Sequence, residues 1–501
     1  MTDIPVLADL NLAWTWPVVG LGLGATFLLV ADLFIPRDRK QQTAWLALAI
    51  LLVSFLLNLA AFPVVDSAFF GMFVVDPFSA FLNLIALTTA FISILLSVDY
   101  LQRSGMQRGE FYALILFTTA GVMLMGHAND LVVVFVSLEL LSIPLYILAA
   151  FRYPDVKSSE SGMKYLVLGA FASAFFVFGA ALIYGATGST SLPHIFEVVA
   201  RGFAAGGAPE LLLLVGTGLV LVGLGFKVAV VPFHMWTPDV YEGAPTPVTA
   251  FMSVGAKVGG FAALLRILVF ALPVLSTGTV EASAWQQVVS LIAAATLILG
   301  NVVAIVQQNV KRLLAYSSIA HAGYIMMALA AAGHAGFGEQ ATRAALVYML
   351  AYMFTNLGAF AVAIAIERDD GSGSDLEQFV GLGRSRPLLA GVMAFFMLSL
   401  TGIPLTAGFI GKWLIFQVTI EAGLVPLAIL GVLTSVVSAY YYIGIIVRMF
   451  LREGEGDPAA GGTGLVNGAV YLTFAGTLLP GIFPYLMIDL TRVVSTTLVG
   501  G

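Results

Sequence analysis

Residues 211–236 read LLLLVGTGLVLVGLGFKVAVVPFHMW. The opening run carries no charge, and with the residues that follow it is long enough to cross the roughly 30 Å hydrocarbon core, which takes about 20 residues of helix. Lys227 then falls inside the run and Pro232 follows it. A lysine at the centre of a membrane helix costs about 2.5 to 3.5 kcal/mol on insertion scales, so it persists only facing protein or water. Proline removes a backbone donor, which ends or kinks the helix. The stretch therefore reads as a membrane helix interrupted beside a buried charge.

The rest of the chain has the same character. Its 501 residues are 60% apolar and only 10% charged, far from the roughly 25% charged composition of soluble domains. Apolar runs of about 20 residues predict spans near 14–34, 43–63, 77–98, 111–127, 130–150, 163–185, 210–234, 244–272, 285–306, 313–332, 343–365, 388–420, 425–450 and 466–488. The run 388–420 is too long for one straight helix and holds Thr401-Gly402-Ile403-Pro404 and Gly408, so it too reads as broken. Asp3 and Asp9 precede a long first run, which reads as an uncleaved first helix rather than a signal peptide.

Basic residues test this count. Loops after odd-numbered spans hold most of them, from Arg37, Arg39 and Lys40 through Arg152 and Lys157 to Arg448 and Arg452. Loops after even spans hold Arg201 and Arg343. The positive-inside rule then places the odd loops in the cytoplasm and both termini on the outer side. The polar stretches 371–375 and 453–464 read as loop connections on the cytoplasmic side.

The predicted fold class is an all-α integral membrane protein of about 14 transmembrane helices. Spans 4–8 and 9–13 read as two inverted five-helix repeats, with broken spans 7 and 12 at matching positions near a lysine. The predicted organisation is residues 1–110 (spans 1–3), 111–275 (first repeat), 285–450 (second repeat) and 465–501 (last span).

The candidate chemistry lies inside these spans. Glu139, in VFVSLELL at 134–141, is the one acidic residue read deep in a span, with Lys164 and Lys227 in the next two. An opposite charge nearby favours the charged forms and burial opposes them, so proton affinity depends on whether a pair forms. A static ion pair between helices is the alternative. Lys257 and Lys412 have no acidic residue at matching depth. Each is either a relay that can lose its proton or a lysine that snorkels to an interface, which suits Lys164 near a helix end better than Lys257. His321, in YSSIAHAGY at 316–324, is either a relay or a packing residue. Pro144, Pro232 and Pro404 lie near these charges, as a hydrated interior path would allow. Asp239 and Glu242, in TPDVYEGAPTP at 237–247, read as caps for the eighth span, with proton gathering as the alternative.

The exclusions are as informative. There is no cysteine, which removes disulfides, thiolate metal sites and cysteine-ligated iron–sulfur clusters. No histidine pair has metal-ligand spacing. Walker, dinucleotide and nucleophile-elbow motifs are missing, as are basic patches for nucleic acid.

The stretches FK at 226–227 with FHMWTPDVYEGAPTPVTAF at 233–251, VKRLLAYSSIAHAGY at 310–324, and FFMLSLTGIP at 395–404 with GFIGK at 408–412 resemble the antiporter-like subunits of respiratory complex I. The likeness covers about residues 75 to 450. The lysine at 412, the YEGAPTP wording and an end after the fourteenth span point to the subunit N branch, with the D-type subunit of Mrp sodium/proton antiporters as the alternative. The resemblance implies a proton-translocating subunit of an NADH:quinone oxidoreductase. In it Glu139 and Lys227 would form a switching pair, Lys164 its modulator, Lys257 and His321 a central relay and Lys412 a terminal site. It implies no cofactor in this chain, with flavin, iron–sulfur clusters and quinone in partner subunits. It also implies membrane-arm partners M, L, K, J and A, and residence in the inner bacterial membrane.

Overall fold

A computed structural model describes residues 10–36, 39–204, 211–272, 283–368, 374–454 and 464–499. Asp3, Asp9, Arg37 and most of 371–375 and 453–464 lie outside the described residues. Helices dominate because a backbone in hydrocarbon must satisfy its own hydrogen bonds.

The chain opens with α1 (Trp16–Asp32) and α2 (Gln41–Ala61), a short hairpin of β1 (Asp66–Ala68) and β2 (Phe73–Val75), and α3 (Pro77–Arg103). The next group is α4 (Glu110–His127), α5 (Leu131–Ala149), α6 (Val156–Thr187), α7 (Leu192–Ala204), α8 (Leu211–Val228), α9 (Trp236–Gly243) and α10 (Thr246–Leu264), which runs on as a π-helical segment, Leu265–Ala271. After it come α11 (Ala284–Ala304), α12 (Val310–Ala332), α13 (Gly338–Ile366), α14 (Leu382–Ser385), α15 (Pro387–Thr401), α16 (Ala407–Glu421) and α17 (Val425–Phe450). The last two are α18 (Gly464–Ile482) and α19 (Tyr485–Val499).

Among the described residues, 12 helices are long and apolar enough to cross a membrane, and α1 and α15 are shorter apolar ones. Every predicted span falls on helix; span twelve is divided into α15 and α16, and span seven stops at Val228, with the short α9 beyond its predicted end. The boundaries moved where caps lie. α6 begins at Val156 rather than near 163 because the Asp155 carboxylate accepts from the Ser158 amide at 2.8 Å. The amphipathic α7 was not predicted, and the last span stops at Ile482, ahead of a separate α19.

Burial separates an inner layer from an outer one. The spans of α10 and α12 are 94% buried and that of α13 is 89%, whereas α6, α17 and α18 are 33% buried. Polar groups on the three inner helices therefore face protein, and the outer helices present their apolar side chains outward.

One buried ion pair ties the end of α10 to α3 and α4. Arg266, in the π-helical segment, reaches both carboxylate oxygens of Asp76 at 2.9 and 2.8 Å and donates to the Gly126 carbonyl at 2.8 Å. Asp76 also caps α3 through the Ser79 amide. Breaking such a pair from one side leaves an uncompensated charge, at a cost of about 3 to 5 kcal/mol. Arg266→Met is therefore expected to lower the thermal unfolding midpoint of the detergent-solubilised protein clearly, and Asp76→Asn added to it to recover most of the loss. An unchanged midpoint in the single variant would show that the pair is dispensable.

Candidate functional site

The first break lies between α8 and α9. Pro232 cannot continue the helix, and the freed backbone groups find named partners: the Val231 amide donates to Thr296 Oγ1 at 3.0 Å, and Trp236 Nε1 donates to the Phe226 carbonyl at 3.0 Å. Lys227 occupies the last turn of α8 and is 2% exposed. Its ammonium donates to Ser142 Oγ at 2.9 Å and Tyr165 OH at 3.1 Å, and Tyr165 stacks on Trp236 at 4.4 Å. A cation near the carbonyl end of a helix is stabilised by the macrodipole.

Glu139 lies one turn before Ser142 on α5 and accepts from Ser173 Oγ of α6 at 2.5 Å. The Ser142 hydroxyl thus stands between the carboxylate helix and the ammonium. Among the described residues no ion pair joins Glu139 to Lys227. Each group is held by hydroxyls instead.

Lys164 is elsewhere. Its side chain is 40% exposed and bridges Glu160 and Asp239, each at 2.6 Å. Arg312 joins from α12, meeting Asp239 at 2.8 Å and Glu242 at 3.0 Å, while Lys157 meets Glu242 at 2.8 Å. This corrects the reading of Asp239 and Glu242 as caps. The cap position of α10 is Pro245, with no side-chain hydrogen bond. The two carboxylates instead fasten α9 to α6 and α12.

The centre brings Lys257, His321 and Lys412 close together. Lys257 is 4% exposed and donates to the Ser318 carbonyl of α12, while Ser318 Oγ accepts from Tyr352 OH at 2.8 Å. His321, also 4% exposed, shares one ring nitrogen with Tyr348 OH at 2.5 Å and the other with Tyr442 OH at 3.0 Å. Its ring lies 4.9 Å from that of Tyr352. A cavity of about 10 Å³, lined by His321, Tyr348, Tyr352, Thr355, Ser399 and Lys412, separates the histidine from the last lysine. Such a space suits roughly one water.

Lys412 also lies beside a break, but on the helix that follows it rather than the one that precedes it. It follows the second break, where α15 ends at Thr401, Gly402 is left-handed (φ 93°) and Thr406 caps α16. The ammonium donates to the orphan Thr401 carbonyl at 2.9 Å and to Ser435 Oγ at 2.8 Å, and it lies 4.7 Å from the centre of the Tyr324 ring. A Cβ at Gly402 would come within 2.9 Å of the lysine stem, so glycine is required there twice, by conformation and by space.

Reading the sequence missed the tyrosines that hold these groups. Tyr348, Tyr352 and Thr355 fall at helical spacing on one face of an otherwise apolar span, and that periodicity was the available signal. It also missed Glu367, which is 2% exposed although it lies just beyond its span, and Arg266, buried at the end of another. Among the described residues no cluster of three or more His, Cys, Asp or Glu could hold a metal.

Broken helices with buried lysines beside the breaks, and a further lysine and a histidine on the inner helices, define an antiporter-like membrane subunit. Residues 128–438 match the family described as NADH:quinone oxidoreductase/Mrp antiporter, TM. NADH-quinone oxidoreductase subunit N of Chloroflexus aggregans is 46% identical over 484 residues, covering 96% of this chain and 95% of that one. A chain of respiratory complex I from Thermus thermophilus superposes with a TM-score of 0.79 at 36% identity, covering 95% of this chain and 99% of that one. A chain of the Mrp complex from a Dietzia species reaches 0.81 at only 23% identity, covering 99% and 98%, and shows a shared fold. The chain belongs to the NADH:quinone oxidoreductase/Mrp antiporter membrane family and, within it, to the NADH-quinone oxidoreductase subunit N family.

The salt-bridge cluster gives a pH signature. Partial burial pushes the carboxyls of Asp239 and Glu242 up, but hydrogen bonds from Lys164 and Arg312 on the first and from Lys157 and Arg312 on the second hold both below their ordinary values. A lowered carboxyl contributes stability that is present above its unfolded value and lost as pH falls through the folded one. Partly exposed pairs are worth at most about 1 kcal/mol each. The thermal midpoint is expected to fall on acidification below the ordinary carboxylate range, and to fall less in Asp239→Asn. Equal acid sensitivity in the two proteins would exclude this cluster as the cause.

Proposed function

We propose that this chain is a proton-translocating membrane-arm subunit of a complex I-like NADH:quinone oxidoreductase, moving protons through buried lysine, glutamate and histidine sites joined by water. One observation carries the reading: two lysines stand at the open ends of broken helices, and a third lysine and a histidine stand between them on inner helices, in a chain of the subunit N family.

The geometry gives each residue a part. With Ser142 between them, Glu139 and Lys227 can close into an ion pair or part, and parting lowers the proton affinity of a buried lysine. Lys164 acts on this site through Asp239, which sits on α9 directly after the break. Lys257 and His321 relay charge across the inner helices through Ser318, Tyr352 and Tyr348. Lys412 ends the line. The matching breaks support two inverted repeats, residues 111–275 and 285–450, preceded by residues 1–110 and followed by 465–501.

Iron–sulfur clusters fall to partner subunits, since the chain has no cysteine to ligate one, and flavin and quinone chemistry belong with them in the same partners. The partners are the other antiporter-like subunits M and L and small membrane subunits such as K, J and A. The membrane is the inner bacterial one, with the basic loops in the cytoplasm and both termini outside. An Mrp-type sodium/proton antiporter is less supported, because the likeness on that side is one of fold.

The test uses the assembled complex in sealed vesicles, with NADH oxidation and proton uptake followed together. Lys227→Met and Glu139→Gln are each expected to reduce the pumping rate by at least about tenfold, since removing a proton-transferring side chain typically costs about a hundredfold or more. Undiminished pumping in both would sink the relay.

A further inference from the structure

We propose that Glu367 is a further proton-carrying residue, one that collects protons on the basic-loop side and delivers them along one face of α10 to Lys257. The proposal rests on the relay described above and adds to it an intake route at the seam between the two repeats.

Glu367 follows the last turn of α13 and its side chain is almost wholly enclosed. One carboxylate oxygen accepts from Tyr100 OH at 2.9 Å and lies 3.5 Å from Arg152; the other accepts from Thr246 Oγ1. Arg152 keeps 23% of its side chain exposed, so the carboxylate is one residue away from the surface. Two further cations stand near: Arg103 donates to the Glu367 backbone carbonyl at 2.9 Å, and the buried Lys311 of α12 is electrostatically coupled to the carboxylate.

Thr246 is the first residue of α10, and from it a polar face runs inward. Thr249, Ser253, Lys257 and Gly260 follow at intervals of three or four residues, which places them on one side of the helix. The neighbouring positions are apolar and buried. Successive members up to Lys257 stand about 4.5 to 6 Å apart along the axis, a gap of the length one bridging water spans, and the Thr249 and Ser253 hydroxyls, which donate to the Tyr241 and Ala250 carbonyls, keep acceptor lone pairs for it. At the midpoint Asn356 of α13 donates to Ser253 Oγ at 2.6 Å, and its buried Oδ1 has no hydrogen-bond partner in the protein. An unfilled acceptor at that depth is the signature of a site completed by water.

The transfer balances simply. Glu367 takes a proton from water at the Arg152 end and becomes neutral. It then loses that proton through the Thr246 hydroxyl and bridging waters, the neutral amine of Lys257 gains one, and the carboxylate is restored.

Glu367→Gln, Glu367→Asp and Lys257→Met are compared in the assembled complex, in sealed vesicles, with proton uptake and NADH oxidation measured together. Glutamine can accept from one of the Tyr100 and Thr246 hydroxyls and donate to the other, but cannot carry the proton. Glu367→Gln is expected to lower the pumping rate at least about tenfold, with Glu367→Asp restoring most of it. Full pumping in Glu367→Gln while Lys257→Met is impaired would overturn the intake route and leave the relay standing. Full pumping in both would remove the relay and this route with it. The double variant Glu367→Gln with Arg152→Gln, which removes the ion-paired cation together with the carboxylate, also replaces the single one if that fails to assemble. Pumping restored to the wild-type rate in the double variant would mean that Glu367 only neutralises Arg152, and would overturn the proposal.

Discussion

Everything in this protein answers to one constraint: a backbone group exposed in hydrocarbon must find a partner, because water is not there to serve as one. Two helices break that rule within the membrane, after Val228 and after Thr401. The orphaned groups are served by side chains from neighbouring helices, Thr296 and Trp236 at the first break and Lys412 and Ser435 at the second. At the second break Lys412 is itself the cap. The cost of breaking the helix and the cost of burying the ammonium offset each other, since a helix C-terminus carries partial negative charge.

That arrangement explains why so much of the surrounding packing is polar and yet well ordered. Lys227 rests on Ser142 and Tyr165, and His321 on Tyr348 and Tyr442. Hydroxyls both donate and accept, so each can hold either protonation state of the group beside it. A carboxylate or a second ammonium in the same place would fix one state. The inner helices α10, α12 and α13 supply the dry setting, and their nearly complete burial keeps these groups from snorkelling to an interface.

Some of this was legible in the sequence. Apolar run length predicted where the spans fall, because a membrane fixes the length of a crossing helix. Lys227, Lys257, His321 and Lys412 stood out because a polar group in hydrocarbon is costly wherever it lies. Lys164 did not keep its predicted place beside the Glu139 pair. It enters α6 two turns from the cap at Asp155, near enough to the end for its long side chain to reach Glu160 and Asp239. Asp239 and Glu242 were misread for a related reason: a carboxylate before a helix suggests a cap, and only the approach of α6 and α12 shows other partners. Glu367 and Arg266 escaped notice because each sits at the margin of its span, where a charge ordinarily meets water.

The sequence by itself determined that this is a polytopic helical membrane protein, that two spans are broken, and which buried charges require an explanation. These follow from length, composition and the cost of each residue in hydrocarbon, all of which are local. Tertiary structure alone decided who meets whom: that Glu139 meets Ser173 while Lys227 meets Ser142 and Tyr165, that Lys257, His321 and Lys412 share a set of tyrosines, and that Glu367 is enclosed among Tyr100, Arg152 and Thr246. Contacts between helices far apart in the chain depend on how neighbouring faces pack, and no local preference encodes that.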